Sequence, residues 1–293
     1  MKIILYLMNE KGKKTLEAVI EKYSNRLILH VVGSKDKSVK DDYYNDIQEL
    51  CIKNHIKFFD RKNISENYQK KKNIYKIVVG WRWIIDDSHN LIILHDSLLP
   101  KYRGFAPLVN ALINKEKKVG VTAIFADKKF DCGDILSQKE IKINYPITIQ
   151  KVIEKISILY VQIVLELLEL IENNTLIVKS QNEKKATYSI WRDSNDYCIN
   201  WDQKSSKIER FINAVGYPYL GASSVMENKL VRVLKVSQYP DVKLEIRDIG
   251  KVLFIDRGHP IVVCKKGLLK IEELIDNDGN DLLPLKKFRV RFQ

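Results

Sequence analysis

The chain has 293 residues, of which 45% are hydrophobic and 30% are charged, a composition typical of a folded globular protein and not of a disordered or fibrous one. Its 50 lysines and arginines exceed its 37 aspartates and glutamates, which gives a net charge of +13. These cations are spread along the chain and lack interleaved aromatic residues, so they favour a basic surface over a nucleic-acid groove.

The sequence predicts neither a signal peptide nor a membrane span. The apolar run at residues 1–8 is too short for a signal peptide and leads directly into charged residues. The longest apolar stretch, residues 156–171, contains two glutamates and one glutamine, which favours a buried amphipathic helix. Four scattered cysteines without a Cys-x-x-Cys pair are typical of reduced thiols, so a cytoplasmic protein is expected.

The first half of the chain alternates between strand and helix patterns. Near-continuous apolar runs predict strands at 2–8, 27–32, 56–59, 75–79, 91–95 and 121–126. Helical spacing predicts helices at 13–23, 43–54 and 106–114. This rhythm is typical of an α/β fold with a doubly wound, mostly parallel sheet.

The second half has a different pattern. A long helix is predicted at 149–173, capped by Thr148, and a polar stretch at 181–185 is interpreted as a domain linker. A helix at 206–214 is then followed by short strands at 230–236, 250–255, 261–263 and 268–274. The prediction is a first domain at 1–185 and a small β-rich, OB-like barrel domain at 186–293.

Three segments carry candidate chemistry. His95 ends a predicted strand and begins the run His-Asp-Ser-Leu-Leu-Pro-Lys-Tyr-Arg-Gly, residues 120–122 read Gly-Val-Thr, and Asp131 begins Asp-Cys-Gly-Asp-Ile. Both His95 and Asp131 are expected at the carboxyl edge of the sheet, where a carboxylate can orient an imidazole for proton transfer. A Gly-x-Gly-x-x-Gly sequence does not follow the first strand, which argues against a nicotinamide dinucleotide.

The ordered motifs His-x-Ser-Leu-Leu-Pro-x-x-Arg-Gly, Gly-Val-Thr and Asp-x-Gly-Asp-Ile resemble the signature of the folate-dependent formyltransferases. That family includes methionyl-tRNA formyltransferase, glycinamide ribonucleotide formyltransferase and the sugar N-formyltransferases. The resemblance continues through Gln181, residues 186–188, 199–201 and 212–222, which are similar to the junction and C-terminal domain of the tRNA and sugar enzymes. It implies a formyltransferase catalytic domain at 1–185 followed by the OB-like domain.

The resemblance also implies roles for individual residues. His95 would be the catalytic histidine and Asp131 its partner, acting while a neutral amine attacks the formyl carbon of N10-formyltetrahydrofolate. The residues implied to line the folate site are Trp81, Trp83, Ile84, Ile85, Arg103, Gly104, Asp127 and Gly133. Independently of the resemblance, the Cys, His and carboxylate residues show no metal-site spacing, so no metal is expected.

One position departs from the family pattern. The family has Asn-x-His, whose amide helps to hold the oxyanion, whereas this chain has Ile93. Loss of such a donor costs about 3 kcal/mol of transition-state stabilisation. Protonated His95, Asn90 or Asn110 are the alternative donors; a non-catalytic folate- or nucleotide-binding homologue is the other interpretation.

The acceptor is expected to be an amino sugar linked to dTDP, GDP, UDP or CMP, used for lipopolysaccharide or other surface glycans. The tRNA enzyme carries a basic loop after its second strand, whereas here residues 33–42 are short and of mixed charge. The purine-pathway enzyme lacks a comparable C-terminal domain. A methionyl-tRNA formyltransferase remains the alternative. The sequence does not indicate an oligomeric state, but the sugar-nucleotide enzymes that it resembles are often dimers, which makes a homodimer one candidate.

Overall fold

The computed structural model describes residues 1–64 and 73–293. The described chain forms two compact units. We call them the N-terminal unit (Met1–Leu108, Lys117–Ile143 and Val152–Ile190) and the C-terminal unit (Val109–Glu116, Asn144–Lys151 and Trp191–Gln293). The domain boundary expected at residue 185 stays a prediction.

The N-terminal unit is built on a seven-stranded sheet with the order β3-β2-β1-β4-β5-β7-β8. Its strands are β1 (Lys2–Leu7), β2 (Ile28–Gly33), β3 (Phe58–Asp60), β4 (Ile74–Val79), β5 (Leu91–His95), β7 (Lys118–Phe125) and β8 (Ile135–Lys142). The first five are parallel, and β7 and β8 are antiparallel to their neighbours. The predicted mostly parallel α/β sheet is therefore confirmed.

Strand β8 is absent from the sequence prediction. Its sequence, Ile-Leu-Ser-Gln-Lys-Glu-Ile-Lys, interleaves polar with apolar residues and therefore lacks a continuous apolar run. The strand lies at an edge of the sheet and leaves most of its polar residues half-buried or exposed, so it needs no such run. It also has the polar composition that protects a sheet edge from pairing with other chains.

Three helices pack with the sheet strands: α1 (Asn9–Tyr23), α2 (Tyr44–Lys53) and α4 (Ile149–Glu172). Helix α1 buries Leu16 and Val19 at helical spacing, which explains why the pattern predicts it. It begins four residues earlier than predicted because Asn9, with φ of 61°, turns the chain directly after β1. The short helix α3 (Pro107–Ile113) follows a two-residue strand, β6 (Arg103–Gly104), which pairs with β9 (Tyr188–Ser189).

The C-terminal unit is β-rich and antiparallel, as predicted. After helix α5 (Ser205–Val215) come β10 (Ala222–Met226), β11 (Lys229–Tyr239), β12 (Val252–Asp256), β13 (His259–Val263) and β14 (Leu268–Asp276), in the sheet order β10-β11-β14-β13-β12. The last residues close this sheet into a barrel. Val225 and Gln293 exchange backbone hydrogen bonds at 2.8 and 2.9 Å, while Val252 donates to Val290 at 3.0 Å.

Within residues 1–64 and 73–293, no helix combines the length and the apolar character needed to cross a bilayer.

Candidate active site

His95, the last residue of β5, is held between two acceptors. Its side chain is 8% exposed. Nε2 donates a hydrogen bond to the carbonyl oxygen of Tyr102 at 2.8 Å, because a carbonyl can only accept. Nδ1 lies 3.5 Å from Oδ1 of Asp131. In the neutral ring the lone pair is therefore on Nδ1, beside a carboxylate that would stabilise a proton placed there.

Asp131 reaches His95 by a route that differs from the expected one. Because β7 is antiparallel to β5, its last residue, Phe125, pairs with Ile92, near the amino end of β5. The loop that carries Asp131 (residues 126–134, the Asp131 loop) thus starts at the opposite end of the sheet from His95. Asp131 lies beside His95, as expected, but the antiparallel direction of β7 and the return of the loop were not predicted. The loop is long enough to return along β5, and the pair still forms.

Hydrogen bonds from two residues, Gly104 and Gln181, hold the Asp131 loop in place. Asp131 itself has φ of 54°, a left-handed conformation that costs a non-glycine residue about 1 kcal/mol or more. Its Oδ2 accepts a hydrogen bond from the backbone N–H of Gly104 at 2.8 Å. The side-chain amide of Gln181 donates to the carbonyl oxygens of Asp131 and Gly133, each at 2.8 Å. A Cβ at Gly133 would lie 1.7 Å from the Phe125 carbonyl oxygen, so the loop requires glycine there.

Arg103 is not placed as a ligand-facing cation. Its side chain is fully buried and donates to Oε1 of Gln181, at 2.8 Å from Nη2, and to both carboxylate oxygens of Glu183 at 2.6 and 2.8 Å. The Glu183 hydrogen bonds raise the pKa of the guanidinium above its ordinary value. We call Arg103, Gly104, Asp131, Gln181 and Glu183 the polar network. A direct contact between Arg103 and folate stays a prediction that this geometry does not favour.

The predicted folate-lining segment after β4 is aromatic and partly open. Trp81 packs edge-on against both Tyr6 and Trp83, with 5.3 Å between ring centroids in each case. The guanidinium of Arg61 lies 4.3 Å from the Trp83 ring centre. The indole Nε1 of Trp81 is buried without a hydrogen-bond partner among the described residues, and Ile84 is 78% exposed.

Ile93 and Ile85 extend this surface toward His95. Both pack against the same buried cluster as Trp81 and Ala126. Because side chains alternate along a strand, Ile93 and His95 lie on one face of β5. The position of the family's oxyanion amide is thus part of an apolar wall. Asn90 is not a substitute: its amide donates to the Ile74 carbonyl at 3.2 Å, and it lies five residues before His95, about 16 Å along an extended strand.

Two further aromatic rings flank the polar network and were not predicted. Phe105 follows Gly104, and Phe130 precedes Asp131; their centroids are 6.3 Å apart, and they are 50% and 66% exposed. We call them the aromatic rim. Asp127, predicted to touch folate, is exposed and accepts a hydrogen bond from the Lys128 N–H at 2.6 Å.

A largely buried charged cluster adjoins His95. The carboxylate of Asp96 accepts from Nζ of Lys11 at 2.6 Å and from the hydroxyl of Tyr160, whose oxygen also lies 3.2 Å from the Leu94 carbonyl oxygen. Burial opposes ionisation of Asp96, but Lys11 and Tyr160 outweigh it and hold its pKa below the ordinary value. The same burial, together with Asp96, raises the pKa of Tyr160 well above normal.

The sequence motifs identified His95 and Asp131 but not the residues that hold them in position. Gln181 belonged to a recognised motif yet was interpreted as part of a linker, and Asp96 was a variable position within another motif. In the described part of the chain, three or more His, Cys, Asp or Glu residues do not come together as a metal site. The cysteines at 51, 132, 198 and 264 are all free thiols.

Comparison with known proteins places this geometry in a family. The model of the formyl transferase family matches residues 12–168, and the model of the formyl transferase C-terminal domain matches residues 192–288. Among curated relatives, a methionyl-tRNA formyltransferase from Thermodesulfovibrio yellowstonii is 34% identical over 98% of this chain and 94% of its own length.

Solved structures with the same fold include sugar-modifying enzymes. WlaRD, described as a sugar 3N-formyl transferase in the presence of dTDP and 5-N-formyl-THF, has a TM-score of 0.66 at 20% identity over 98% of both chains. An N-formyltransferase from Helicobacter canadensis, in complex with folinic acid and dTDP-3-aminofucose, has a TM-score of 0.66 at 19% identity, covering 94% of this chain and 98% of its own. The chain belongs to the formyl transferase family and is a formyl-transferring enzyme.

Proposed function

We propose that this enzyme moves the formyl group of N10-formyltetrahydrofolate to the amine of a nucleotide-linked amino sugar. The observation that carries the chemistry is the pairing of His95 Nδ1 with the Asp131 carboxylate, 3.5 Å apart. The acceptor class rests on where the chain does and does not concentrate positive charge. The four free thiols agree with a reducing compartment, so we place the reaction in the cytoplasm.

We infer a separate role for each ring nitrogen of His95. Nε2 donates to the Tyr102 carbonyl and fixes the ring orientation and tautomer. Nδ1 carries the lone pair of the neutral ring, so we infer that it accepts the proton that the attacking amine loses, and that Asp131, 3.5 Å away, stabilises the resulting imidazolium. Both N–H groups of a protonated His95 face acceptors of the chain, so this ring is poorly placed to replace the oxyanion donor missing at Ile93.

The tryptophan segment fits a flat, partly polar heterocycle. Trp81, Ile85 and Ile93 form an apolar wall, and the indole N–H of Trp81, which has no partner within residues 1–64 and 73–293, is a buried donor suited to a ring acceptor. The bound folate supplies the activated formyl group. WlaRD and the Helicobacter enzyme are described with 5-N-formyl-THF and folinic acid, which supports the same ligand class here.

The loop after β2 argues against RNA as the acceptor. Residues 34–42 contain three lysines and three aspartates, so the loop adds no net charge. Asp36 accepts from the N–H and the hydroxyl of Ser38 at 3.0 and 2.7 Å and pairs with Arg82 at 3.0 Å. Polar groups at this loop are thus already paired with the Asp36 carboxylate. The loop therefore offers few unpaired cations to a phosphate backbone, whose binding requires clustered cations.

The C-terminal unit gives the same indication. Residues 191–293 contain 18 lysines and arginines against 14 aspartates and glutamates. Several of these cations are paired with carboxylates, as in Arg247–Asp241 and Lys270–Asp256, both at 2.8 Å. The excess is modest for an RNA-binding domain. The sequence similarity to methionyl-tRNA formyltransferases nevertheless makes initiator tRNA the second candidate acceptor.

The test mixes the purified enzyme with N10-formyltetrahydrofolate and a panel of dTDP-, GDP-, UDP- and CMP-linked amino sugars, plus methionyl initiator tRNA. Mass spectrometry measures the formyl mass on each acceptor. We expect the gain on one sugar nucleotide. A gain on tRNA alone would contradict the acceptor class and keep the chemistry, whereas folate binding without transfer to any acceptor would contradict the catalytic proposal.

A further inference from the structure

The segment predicted to be a linker is hydrogen-bonded to the Asp131 loop through Gln181. Gln181 lies fifty residues after Asp131, yet its side-chain amide uses both N–H groups on that loop, one on the Asp131 carbonyl and one on the Gly133 carbonyl. Its carbonyl oxygen accepts from Nε and Nη2 of Arg103 at 3.2 and 2.8 Å. Every hydrogen-bonding group of this amide is therefore committed in a defined direction.

The loop needs such a restraint. Asp131 is in a left-handed conformation that a non-glycine residue adopts at a cost, and a relaxed backbone would turn its carboxylate away from His95. The Gln181 bonds fix two peptide groups, the one that joins Asp131 to Cys132 and the one that joins Gly133 to Asp134. The bond from the Gly104 N–H fixes Oδ2, which leaves Oδ1 directed at Nδ1 of His95.

Arg103 connects the two restraints. Its guanidinium orients Gln181, while its own backbone belongs to β6, which places the Gly104 N–H on Asp131. Because the side chain of Arg103 is fully buried, its charge requires a counterion. Glu183 supplies one through a bidentate ion pair. Removing the guanidinium group of Arg103 would therefore weaken the restraints from Gln181 and Gly104 together.

We propose that Gln181, oriented by Arg103, is a positioning residue for the reaction: it holds the Asp131 loop so that the carboxylate faces Nδ1 of His95. This inference rests on the roles proposed above for His95 and Asp131. It gives Arg103 an indirect role in place of the folate contact that the sequence resemblance implies. It also predicts that the 181–188 segment contributes to turnover, and not merely to joining two domains.

The informative substitution is Gln181→Glu. Glutamate has the same shape and still accepts from Arg103, but an ionised carboxylate cannot donate to the Asp131 and Gly133 carbonyls. Gln181→Met removes the same donors without adding charge and serves if the glutamate variant folds poorly. Gln203→Glu is the matched control, since Gln203 accepts from Lys207 in the C-terminal unit and a carboxylate can do the same.

Two readouts separate positioning from mere structural support. The first is kcat for formyl transfer, to the acceptor identified by mass spectrometry, against KM for folate. We expect kcat of Gln181→Glu to fall about 10- to 100-fold, as for small misplacements of a catalytic group, with KM for folate and thermal stability nearly unchanged. The second needs no acceptor: ¹⁵N NMR of the His95 ring should show the same change in Gln181→Glu as in Asp131→Asn.

The outcomes are distinguishable. Wild-type kcat and a wild-type His95 spectrum in both Gln181 variants would overturn the positioning role. A parallel loss of folate affinity, stability and kcat would also overturn it, in favour of a structural role. If instead Asp131→Asn itself transferred formyl at the wild-type rate, the proposed role of the His95–Asp131 pair would fail, independently of Gln181.

Discussion

The polar network and the aromatic surfaces of the N-terminal unit differ in whether their side chains find partners within the chain. Arg103, Gln181 and Asp131 are hydrogen-bonded to one another and are half-buried or fully buried. Phe105 and Phe130 leave half or more of their rings exposed, and Trp81 has a buried N–H without a partner among the described residues. Side chains whose hydrogen bonds are made within the chain fix the positions of the catalytic groups, whereas exposed rings and unbonded donors are available to ligands. The comparison therefore separates turnover from binding.

The largest effect is expected at His95, where the network meets the substrate. His95→Ala removes the proton acceptor and should lower kcat by about 10²- to 10⁴-fold. Steady-state transfer measures kcat, and quenching of tryptophan fluorescence measures folate affinity, which should stay within about threefold. His55→Ala, at an exposed position, is the control. Unchanged turnover in His95→Ala would contradict a catalytic role for His95 and for the polar network that positions its partner Asp131.

The next effect concerns the stability of the charged cluster that adjoins His95. Lys11→Met leaves the largely buried Asp96 carboxylate without its cation, with the hydrogen bond from Tyr160 remaining, so we expect a loss of about 3 kcal/mol in the free energy of unfolding. Because folding lowers the pKa of Asp96, its contribution is present above the ordinary value of 3.8 and is lost as the pH falls below it. The difference between variant and wild type, measured by urea unfolding, should thus shrink below pH 4. A pH-independent difference would contradict the ion-pair account.

The aromatic rim should affect acceptor binding. Phe130→Ala removes an exposed ring beside Asp131, and we expect KM for the acceptor to rise about 5- to 10-fold with little change in kcat. Phe288→Ala, which removes another half-exposed ring in the C-terminal unit, should leave both constants unchanged. A fall in kcat without a rise in KM would place Phe130 with the polar network instead.

A smaller effect is expected from the indole N–H of Trp81. Trp81→Phe keeps an aromatic ring but deletes the donor, so KM for folate should rise about 3- to 10-fold, the equivalent of one hydrogen bond. Trp201→Phe deletes an indole donor that is already bonded to Ser224 at 3.0 Å and should not change KM for folate. Equal folate KM values in wild type and Trp81→Phe would show that the donor does not face the ligand.

Local patterns predicted the elements of the sheet but not every strand or its direction. Strand β5 is predicted to the residue because four consecutive apolar residues, 91–94, lead directly into His95. The polar edge strand β8 was missed, and the antiparallel direction of β7 was not predicted because a buried strand is equally apolar in either direction. Direction depends on tertiary pairing, which a single sequence does not encode locally.

The site shows the same limit. His95 and Asp131 were identified from motifs, and Arg103 was assigned to the folate site because the resemblance to the formyltransferases implied it. Its actual partners, Gln181 and Glu183, lie about eighty residues away in sequence. Spacing along the chain reveals contacts within one turn or strand pair, and it does not reveal the partners of a buried arginine that lie about eighty residues away.

The measurement that tests the account most directly is single-turnover formyl transfer by Asp131→Asn, at saturating folate and acceptor. Asparagine preserves the shape of the side chain and the acceptor for Gly104 but removes the charge that stabilises protonated His95. The account predicts transfer at least about 100-fold slower than in the wild type, with folate still bound. Transfer at the wild-type rate would contradict it.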